Sequence, residues 1–188
     1  PNCISIGTSA FETCISLTSV NLPLCTHVSS HTFAHCSALT SIDLPLCTSV
    51  DNNAFVGCSL LTSINLPLLT SLGGYAFYFC TALTSIDLPL CTYIGNYTFG
   101  ECTSLISVNL PNCSYVGSNA FQDCSKLVSI NLPNCEKISN NAFYKCSSLT
   151  NIDLPKCMLI SVSVFESCTS LTSVNIPLCT SIGNRVFT

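Results

Sequence analysis

The sequence predicts a repeat solenoid with 22 residues per coil, one parallel β-sheet face and short helical or 3-10 turns on the opposite side. Two periodicities predict this fold. Phenylalanine recurs every 22 residues from Phe11 to Phe187, and only Phe79 among the ten phenylalanines is out of phase. Proline recurs at the same interval without an insertion, at Pro1, Pro23, Pro45, Pro67, Pro89, Pro111, Pro133, Pro155 and Pro177. Because one such unit cannot bury its own apolar face, the units must stack along a common hydrophobic axis.

The strand of each unit precedes the proline, which we number position 1 of the next unit. In the segment LTSINL (residues 61–66), Ile64 and Leu66 point inward and the polar residues that alternate with them point outward. The next residue, Pro67, lacks the N–H that would continue a ladder between coils. The proline therefore marks the end of the strand, and stacking in register gives every turn the same phase.

The second half of the unit carries the turns. In IGNYTFGECTSL (residues 94–105), Phe99, Cys102 and Leu105 are spaced at i, i+3 and i+6, which predicts a short helical or 3-10 turn. Four asparagines stand where a cap of this turn would stand: Asn52, Asn96, Asn140 and Asn184. The predicted core then consists of unit positions 3, 6, 10, 11, 14, 17, 20 and 22.

Composition excludes two classes of partner. Charged residues make up 7% of the chain, the net charge is −4, and only five residues are lysine or arginine. So few basic residues provide no positively charged surface for nucleic acid or an anionic membrane. No apolar run approaches the ~18 residues that span a bilayer, and no secretory signal pattern is visible. We therefore predict no nucleic-acid partner and no membrane insertion.

The unit resembles the leucine-rich repeat of the BspA-like class, also called the Treponema pallidum type. That repeat runs approximately L-x-x-I-x-L-P-x-x-L-x-x-I-G-x-x-A-F-x-x-C, and it is similar to LVSINLPNCEKISNNAFYKC and LISVNLPNCSYVGSNAFQDC here. The resemblance covers the whole chain. It implies a right-handed leucine-rich-repeat coil stack and a non-enzymatic, mostly surface-exposed scaffold, often an adhesin that contacts host or matrix proteins. One departure is a cysteine two residues after the proline, where the class more often has an aliphatic or variable residue.

The cysteines fall into two columns of eight. Leu69 stands where the first column needs a cysteine, although Cys80 of the same unit persists, so a fixed pairing between the columns leaves a thiol without a partner. Stacked residues lie ~4.8 Å apart with parallel side chains, whereas a disulfide brings the Cβ atoms to ~3.8 Å. Buried free thiols are the favoured interpretation, and some disulfides stay an alternative. A metal cluster is disfavoured because no C-x-x-C occurs.

No combination of residues predicts catalysis. The three histidines, His27, His31 and His35, are interpreted as solvated surface side chains, with adventitious metal binding as the alternative. No nucleophile, base and orienting group can be assembled elsewhere. The aspartates of unit position 21, Asp43, Asp87 and Asp153, never occupy adjacent units, which predicts a hydrogen-bonded Asn/Asp ladder. We predict no enzymatic activity, no cofactor and no resident metal.

Two sets of residues are the predicted partner-binding sites. Exposed tyrosines are effective contact residues, and four of them fall in the fourth to sixth units: Tyr75, Tyr93, Tyr97 and Tyr115. Covering of the core edge is the alternative role for these rings. The second set is the outward row of the neighbouring strands: Ser63, Asn65, Ser85, Asp87, Ser107 and Asn109. Two sequons make Asn96 and Asn112 candidate N-glycosylation sites.

Residues 1–188 are predicted to form a single solenoid of eight complete units and a partial ninth. Neither end carries a polar cap, so we expect the solenoid to belong to a longer array or an assembly. The predicted function is a non-enzymatic scaffold for cell-surface adhesion or protein–protein interaction, with a protein or glycan ligand. The alternative is a structural subunit of an extracellular filament, formed when uncapped ends of copies of the chain stack head to tail. The predicted location is the cell surface or the extracellular space, although buried free thiols also suit an intracellular protein.

Overall fold

The computed structural model describes residues 2–188, which wind into successive coils whose strands pair in parallel. Each coil contributes a two-residue strand after the proline and a three-residue strand before the next proline. Paired residues are one repeat apart, so that Tyr93 faces Tyr115 and Ser85 faces Ser107. The predicted repeat solenoid with parallel strands is confirmed.

The strands are short and regularly spaced. In chain order they are β1 (Ser5–Ile6), β2 (Ser19–Asn21), β3 (His27–Val28), β4 (Ser41–Asp43), β5 (Ser49–Val50), β6 (Ser63–Asn65), β7 (Ser71–Leu72), β8 (Ser85–Asp87), β9 (Tyr93–Ile94), β10 (Ser107–Asn109), β11 (Tyr115–Val116), β12 (Ser129–Asn131), β13 (Lys137–Ile138), β14 (Asn151–Asp153), β15 (Leu159–Ile160), β16 (Ser173–Asn175) and β17 (Ser181–Ile182).

The solenoid has two rows of strands, where the sequence predicted one sheet face. The odd-numbered strands form one continuous sheet of nine strands. The even-numbered strands, which the alternating pattern predicted, form three sheets: β2-β4-β6, β8-β10-β12 and β14-β16. Two residues are too few to show an alternating pattern, so the longer sheet left no signal in the sequence.

Hydrogen-bonded turns replace the predicted helical or 3-10 turns. The amides of Tyr97, Phe99 and Glu101 donate to carbonyls of the next coil at 2.8–2.9 Å. Because alternate amides point to the neighbouring coil, they cannot close the bonds within the segment that a helix needs. Tyr97 and Glu101, at unit positions 9 and 13, have φ values of 55° and 60°, and the equivalent residues of the other coils are also left-handed. Residues 2–188 contain no helix long and apolar enough to cross a membrane.

The core is a column of phenylalanine rings along the axis of the solenoid. Rings one repeat apart, from Phe11 to Phe187, stack with centroids 5.2–5.7 Å apart and planes within 11° of parallel. Phe33 and its equivalents as far as Phe165 are completely buried. The leucines of position 17 from Leu39 to Leu149 are buried beside them, so the predicted core is confirmed. Each fully buried side chain of this size contributes about 1.5–3 kcal/mol to folding.

The sixteen cysteines are free thiols, and all but three are buried. In the first column Cys25 Sγ donates to the carbonyl of His27 in its own coil at 3.2 Å. In the second column Cys58 Sγ donates to the carbonyl of Phe33 in the preceding coil at 3.1 Å. Burial raises the pKa of Cys58 to about 12. A buried thiol here is a small apolar group that also satisfies a carbonyl, and completely buried Leu69 can replace its apolar part.

Asparagine side chains bridge adjacent coils. The predicted caps do not cap their own turns: Asn52 Oδ1 accepts a hydrogen bond from the amide of Gly74 at 2.8 Å, and Asn96 Oδ1 accepts one from the amide of Ser118 at 2.9 Å. The reason is that the described residues, 2–188, form no helical N-terminus for a cap, so the asparagines bond to amides of the next coil instead. The predicted Asn/Asp ladder is present, with Asn109 Nδ2 donating to Asp87 Oδ1 at 2.8 Å.

Candidate ligand-binding surface

The four predicted tyrosines form two stacked pairs. Tyr75 and Tyr97 lie at position 9 of adjacent coils, with ring centroids 4.7 Å apart. Tyr93 and Tyr115 lie on strands β9 and β11, with centroids 5.0 Å apart and planes 2° from parallel. Stacking follows from the register, because equivalent residues of successive coils lie one above the other.

Tyr75 and Tyr93 both line a shallow cleft of about 420 Å³. Its remaining lining consists of glycines and asparagines: Asn52, Asn53, Gly73, Gly74, Gly95 and Asn96. A Cβ atom on Gly95 would lie 2.7 Å from the backbone nitrogen of Gly74, so glycine is what lets the backbones approach here. The structure therefore brings Tyr75 and Tyr93 into the lining of one cleft.

The structure adds two rings that the sequence analysis did not single out as ligand contacts. Tyr78 packs edge-on against Tyr75 and Tyr97, with centroid distances of 5.5 and 5.9 Å, and Phe79 packs edge-on against Tyr78 at 4.5 Å. A Cβ atom on Gly100 would lie 2.9 Å from the Tyr78 ring, so this glycine makes room for the ring over the next coil. The signal available in the sequence was Phe79, the one phenylalanine out of phase. We call Tyr75, Tyr78, Phe79 and Tyr97 the aromatic cluster.

The surroundings of the aromatic cluster are acidic. Burial, and then the nearby Glu101 carboxylate, raise the pKa of Tyr78. Burial, and then Asp123, raise the pKa of Glu101, although Lys145 opposes this shift. Lys145 Nζ lies 3.8 Å from Asp123 Oδ1. Among residues 2–188, Glu101 has no ion-pair partner.

The predicted row of serines, asparagines and aspartate lies on the even-numbered strands. Ser63, Ser85 and Ser107 are exposed and successive along the stack. Hydrogen bonding between strands stops between β6 and β8, so Ser63 and Asn65 belong to a different sheet from the other four predicted residues. The tyrosines lie on the nine-stranded sheet and the turns, and the two predicted sets therefore form separate surfaces.

The three histidines do not converge. His27 Nδ1 lies 2.7 Å from Ser49 Oγ, and Nε2 lies 3.3 Å from Asp51 Oδ2, because His27 and Ser49 are register partners in β3 and β5. His27 and His31 are half-buried, and His35 is exposed. No group of three His, Cys, Asp or Glu side chains within residues 2–188 is arranged to hold a metal ion.

The two sequon asparagines are exposed and engaged with neighbouring coils. Asn112 Nδ2, the atom that would carry a glycan, donates to the carbonyl of Pro89 at 2.7 Å. Asn96 uses only its Oδ1 for the contact with Ser118. In the folded chain Asn96 therefore presents the more accessible amide nitrogen of the two.

Comparison with known families identifies the repeat. The model of the BspA type leucine rich repeat region, in 6 copies, matches residues 1–91 and 70–188. The chain belongs to the BspA-type leucine-rich repeat family. The resemblance carried by the proline, Ala-Phe and cysteine spacing is thereby confirmed. Among curated proteins, none matches this BspA-type chain.

Solved structures show the same architecture. A leucine-rich repeat protein of T. pallidum is 29% identical, with a TM-score of 0.73 over 82% of this chain and 78% of that one. A leucine-rich repeat protein from Bacteroides ovatus ATCC 8483 is 23% identical, with a TM-score of 0.55 over 98% of this chain and 67% of that one. The second likeness shows the fold alone. The BspA-type chain is thus a leucine-rich-repeat scaffold, a class consistent with protein–protein interaction.

Proposed function

We propose that this BspA-type chain is a non-enzymatic adhesion scaffold that presents the tyrosine face of residues 67–132 to a protein ligand at a cell surface. The observation that carries the proposal is the concentration of exposed aromatic rings in this region of a chain with few charges. Tyr93 is 47% exposed and Phe79 is 46% exposed. Aromatic side chains dominate the binding energy of protein interfaces when a partner covers them.

The shape of the surface supports a macromolecular ligand. The cleft between Tyr75 and Tyr93 is at the small end of the ~300–1,000 Å³ range of small-molecule pockets. It is open, and the stacked Tyr93 and Tyr115 rings continue from it along the nine-stranded sheet. A partner that spans several coils can contact both tyrosine pairs at once, and such contact is what a rigid scaffold provides.

Binding to a panel of immobilised extracellular matrix proteins tests this proposal. The variants carry residues that the chain itself uses at the same unit position: Tyr97→Asn follows Asn119, and Tyr93→Ser follows Ser71. These replacements keep the local backbone, since asparagine tolerates the left-handed conformation of position 9. We expect each variant to weaken binding about tenfold or more.

Tyr144→Gln is the matched control, because Gln122 occupies the same unit position and Tyr144 lies outside the aromatic cluster. If Tyr97→Asn and Tyr93→Ser bind as tightly as the wild type does, the tyrosine face is not the binding surface. Labelling of intact cells with an antibody against the chain tests its surface location, and a signal that requires permeabilised cells counts against it.

End-to-end assembly into a filament is a second candidate, favoured by the apolar surface of the outermost described coils. Phe187 is 49% exposed and stacks on one neighbour, Phe165, with centroids 5.7 Å apart. A cleft of about 430 Å³ beside it is lined by Cys168, Leu171 and Val174, among others. Negative-stain images at increasing concentration should then show rods that lengthen for the wild type and stay short for Phe187→Glu. Single short particles at every concentration exclude assembly by residues 1–188.

A further inference from the structure

The aromatic cluster occupies backbone positions that disfavour aromatic residues. Tyr75, Phe79 and Tyr97 have φ values of 58°, 61° and 55°. Left-handed backbone is costly for bulky side chains and tolerated by Gly, Asn and Asp. The other coils have no phenylalanine, tyrosine or tryptophan at these two positions, and several of them have Asn, Asp or Gly there: Asn53, Gly57, Asn119, Asp123 and Asn141. The cluster therefore departs from what backbone geometry favours, and it does so at an exposed site.

Two rings of the cluster, Tyr78 and Phe79, lie near Glu101. Phe79 and Glu101 both stand at position 13, on adjacent coils, and Tyr78 leans over Gly100, the residue before Glu101. The Glu101 carboxylate is half-buried and has no ion-pair partner among residues 2–188. Lys145 acts on this charge only from a distance, because its ion pair is with Asp123.

Elsewhere the chain supplies cations to its own tyrosines. Lys137 Nζ lies 5.6 Å from the centroid of the Tyr115 ring, and Lys145 Nζ lies 5.1 Å from that of Tyr144. Both distances are within the ~6 Å range of cation–π attraction. Lys145 also lies near Asp123, one coil beyond Glu101. The aromatic cluster offers ring faces near the Glu101 carboxylate, which together could hold a cation. Within residues 2–188, however, no lysine or arginine lies over these rings.

We propose that the aromatic cluster and Glu101 bind a lysine or arginine side chain from a basic segment of a protein partner. The cation would lie against the ring faces and pair with the carboxylate, which gives the segment both a cation–π contact and a charge-assisted hydrogen bond. This inference rests on the proposed interaction function and adds the chemistry of the ligand. The charge complementarity favours a basic segment over a neutral glycan.

A labelled peptide of alternating glycine and arginine tests the inference, with fluorescence anisotropy as the measurement on the full chain. The same peptide with citrulline in place of arginine keeps the shape of the side chain and removes its charge. We expect the arginine peptide to bind at least about fivefold more tightly than the citrulline peptide, in line with one cation–π contact. Higher salt should weaken the arginine peptide selectively.

Two variants with matched controls locate the site. Phe79→Gly removes one ring with the residue that Gly57 supplies at the same position, and Glu101→Gln removes the charge. Each should weaken the arginine peptide about fivefold or more. Asp43→Asn is the control for net charge, because it lies on another face, and Tyr144→Gln is the control for loss of a ring. Both controls should bind as the wild type does.

Equal binding of the arginine and citrulline peptides overturns the inference, and so does an equal effect of Glu101→Gln and Asp43→Asn. A neutral oligosaccharide, chitohexaose, that binds at the cluster when the arginine peptide does not also overturns it. If sedimentation shows that the chain dimerises through the aromatic cluster and the peptide does not bind, the inference is also overturned. If the peptide fails while Tyr97→Asn still abolishes matrix-protein binding, the interaction function stands and only the cationic ligand is wrong. If the arginine peptide binds but no matrix protein does, the cationic ligand stands and the proposed adhesion to matrix proteins is wrong.

Discussion

Replacement of one core phenylalanine by alanine tests the stacking directly. Phe99 is completely buried and lies between two rings, with centroids 5.4 Å from Phe77 and 5.3 Å from Phe121. Phe99→Ala should reduce the free energy of unfolding by about 3–5 kcal/mol, because it removes a buried ring and leaves a cavity between two others. Phe187→Ala should cost about 1 kcal/mol, since that ring is 49% exposed and has one stacking neighbour.

Urea unfolding followed by far-UV circular dichroism measures both variants. Phe99→Leu serves as a second comparison, and it should cost about 1.5 kcal/mol because most of the apolar volume remains. The order of the three costs is the prediction, with Phe99→Ala largest. Equal losses for Phe99→Ala and Phe187→Ala would refute the idea that each ring is stabilised by neighbours on both sides.

Three further predictions concern titratable groups. Burial raises the pKa of Cys102 and Cys113 from 9.0 to about 12, so the unfolded chain releases thiol protons that the folded chain retains, and stability present below pH 9 should fall between pH 9 and 12. A urea midpoint, followed by circular dichroism, that stays constant over this pH range contradicts the prediction. Iodoacetamide at pH 8 should label exposed Cys14 long before Cys102, and mass spectrometry that finds equal rates opposes the prediction. Asn109→Asp places a carboxylate beside Asp87 and should cost about 0.5–1 kcal/mol at neutral pH. Repulsion raises both folded-state pKa values, so the loss should vanish once both groups are protonated below pH ~4. If Asn184→Asp, which adds the same charge at a different unit position, reduces the free energy of unfolding by as much, repulsion between stacked carboxylates is not the cause of the loss.

The sequence predicted the interior of the solenoid better than its surface. Phe55, Cys58 and Leu61 repeat at fixed intervals because each must contact its own equivalent one coil away, and such a requirement leaves a period in the sequence. The even-numbered strands, β2 to β16, were predicted because their inward residues, such as Ile42, are buried and also contact their equivalents one coil away. Contacts between equivalent residues therefore determine what a repeat sequence reveals.

Features that depend on backbone pairing between coils left little or no sequence pattern. The nine-stranded sheet uses two residues per coil, and residues as different as His27, Ser49 and Tyr93 occupy its outward position. The left-handed turns were predicted as helical because the spacing of Phe99 and Cys102 also fits a helix. Tyr78 was missed because unit position 12 differs from coil to coil, so no period marks Gly100, the small residue at the same position of the next coil that makes room for the Tyr78 ring.

The paired left-handed positions have a consequence for how this molecule can change. Positions 9 and 13 hold sixteen non-glycine residues that include polar, charged and aromatic types, and nearly all of them are at least partly solvent-accessible, whereas the ring column beside them is uniform. Their amides donate to carbonyls of the adjacent coil, and their carbonyls accept from amides of their own coil, whatever side chain is attached. Substitutions at positions 9 and 13 can thus change the exposed binding groups of one coil at a time, without changing how the interior packs. Two structural limits then decide which side chain is displayed: the free-energy cost of the left-handed backbone dihedral, and the fit to the equivalent residue one coil away, as for Gly57 against His35.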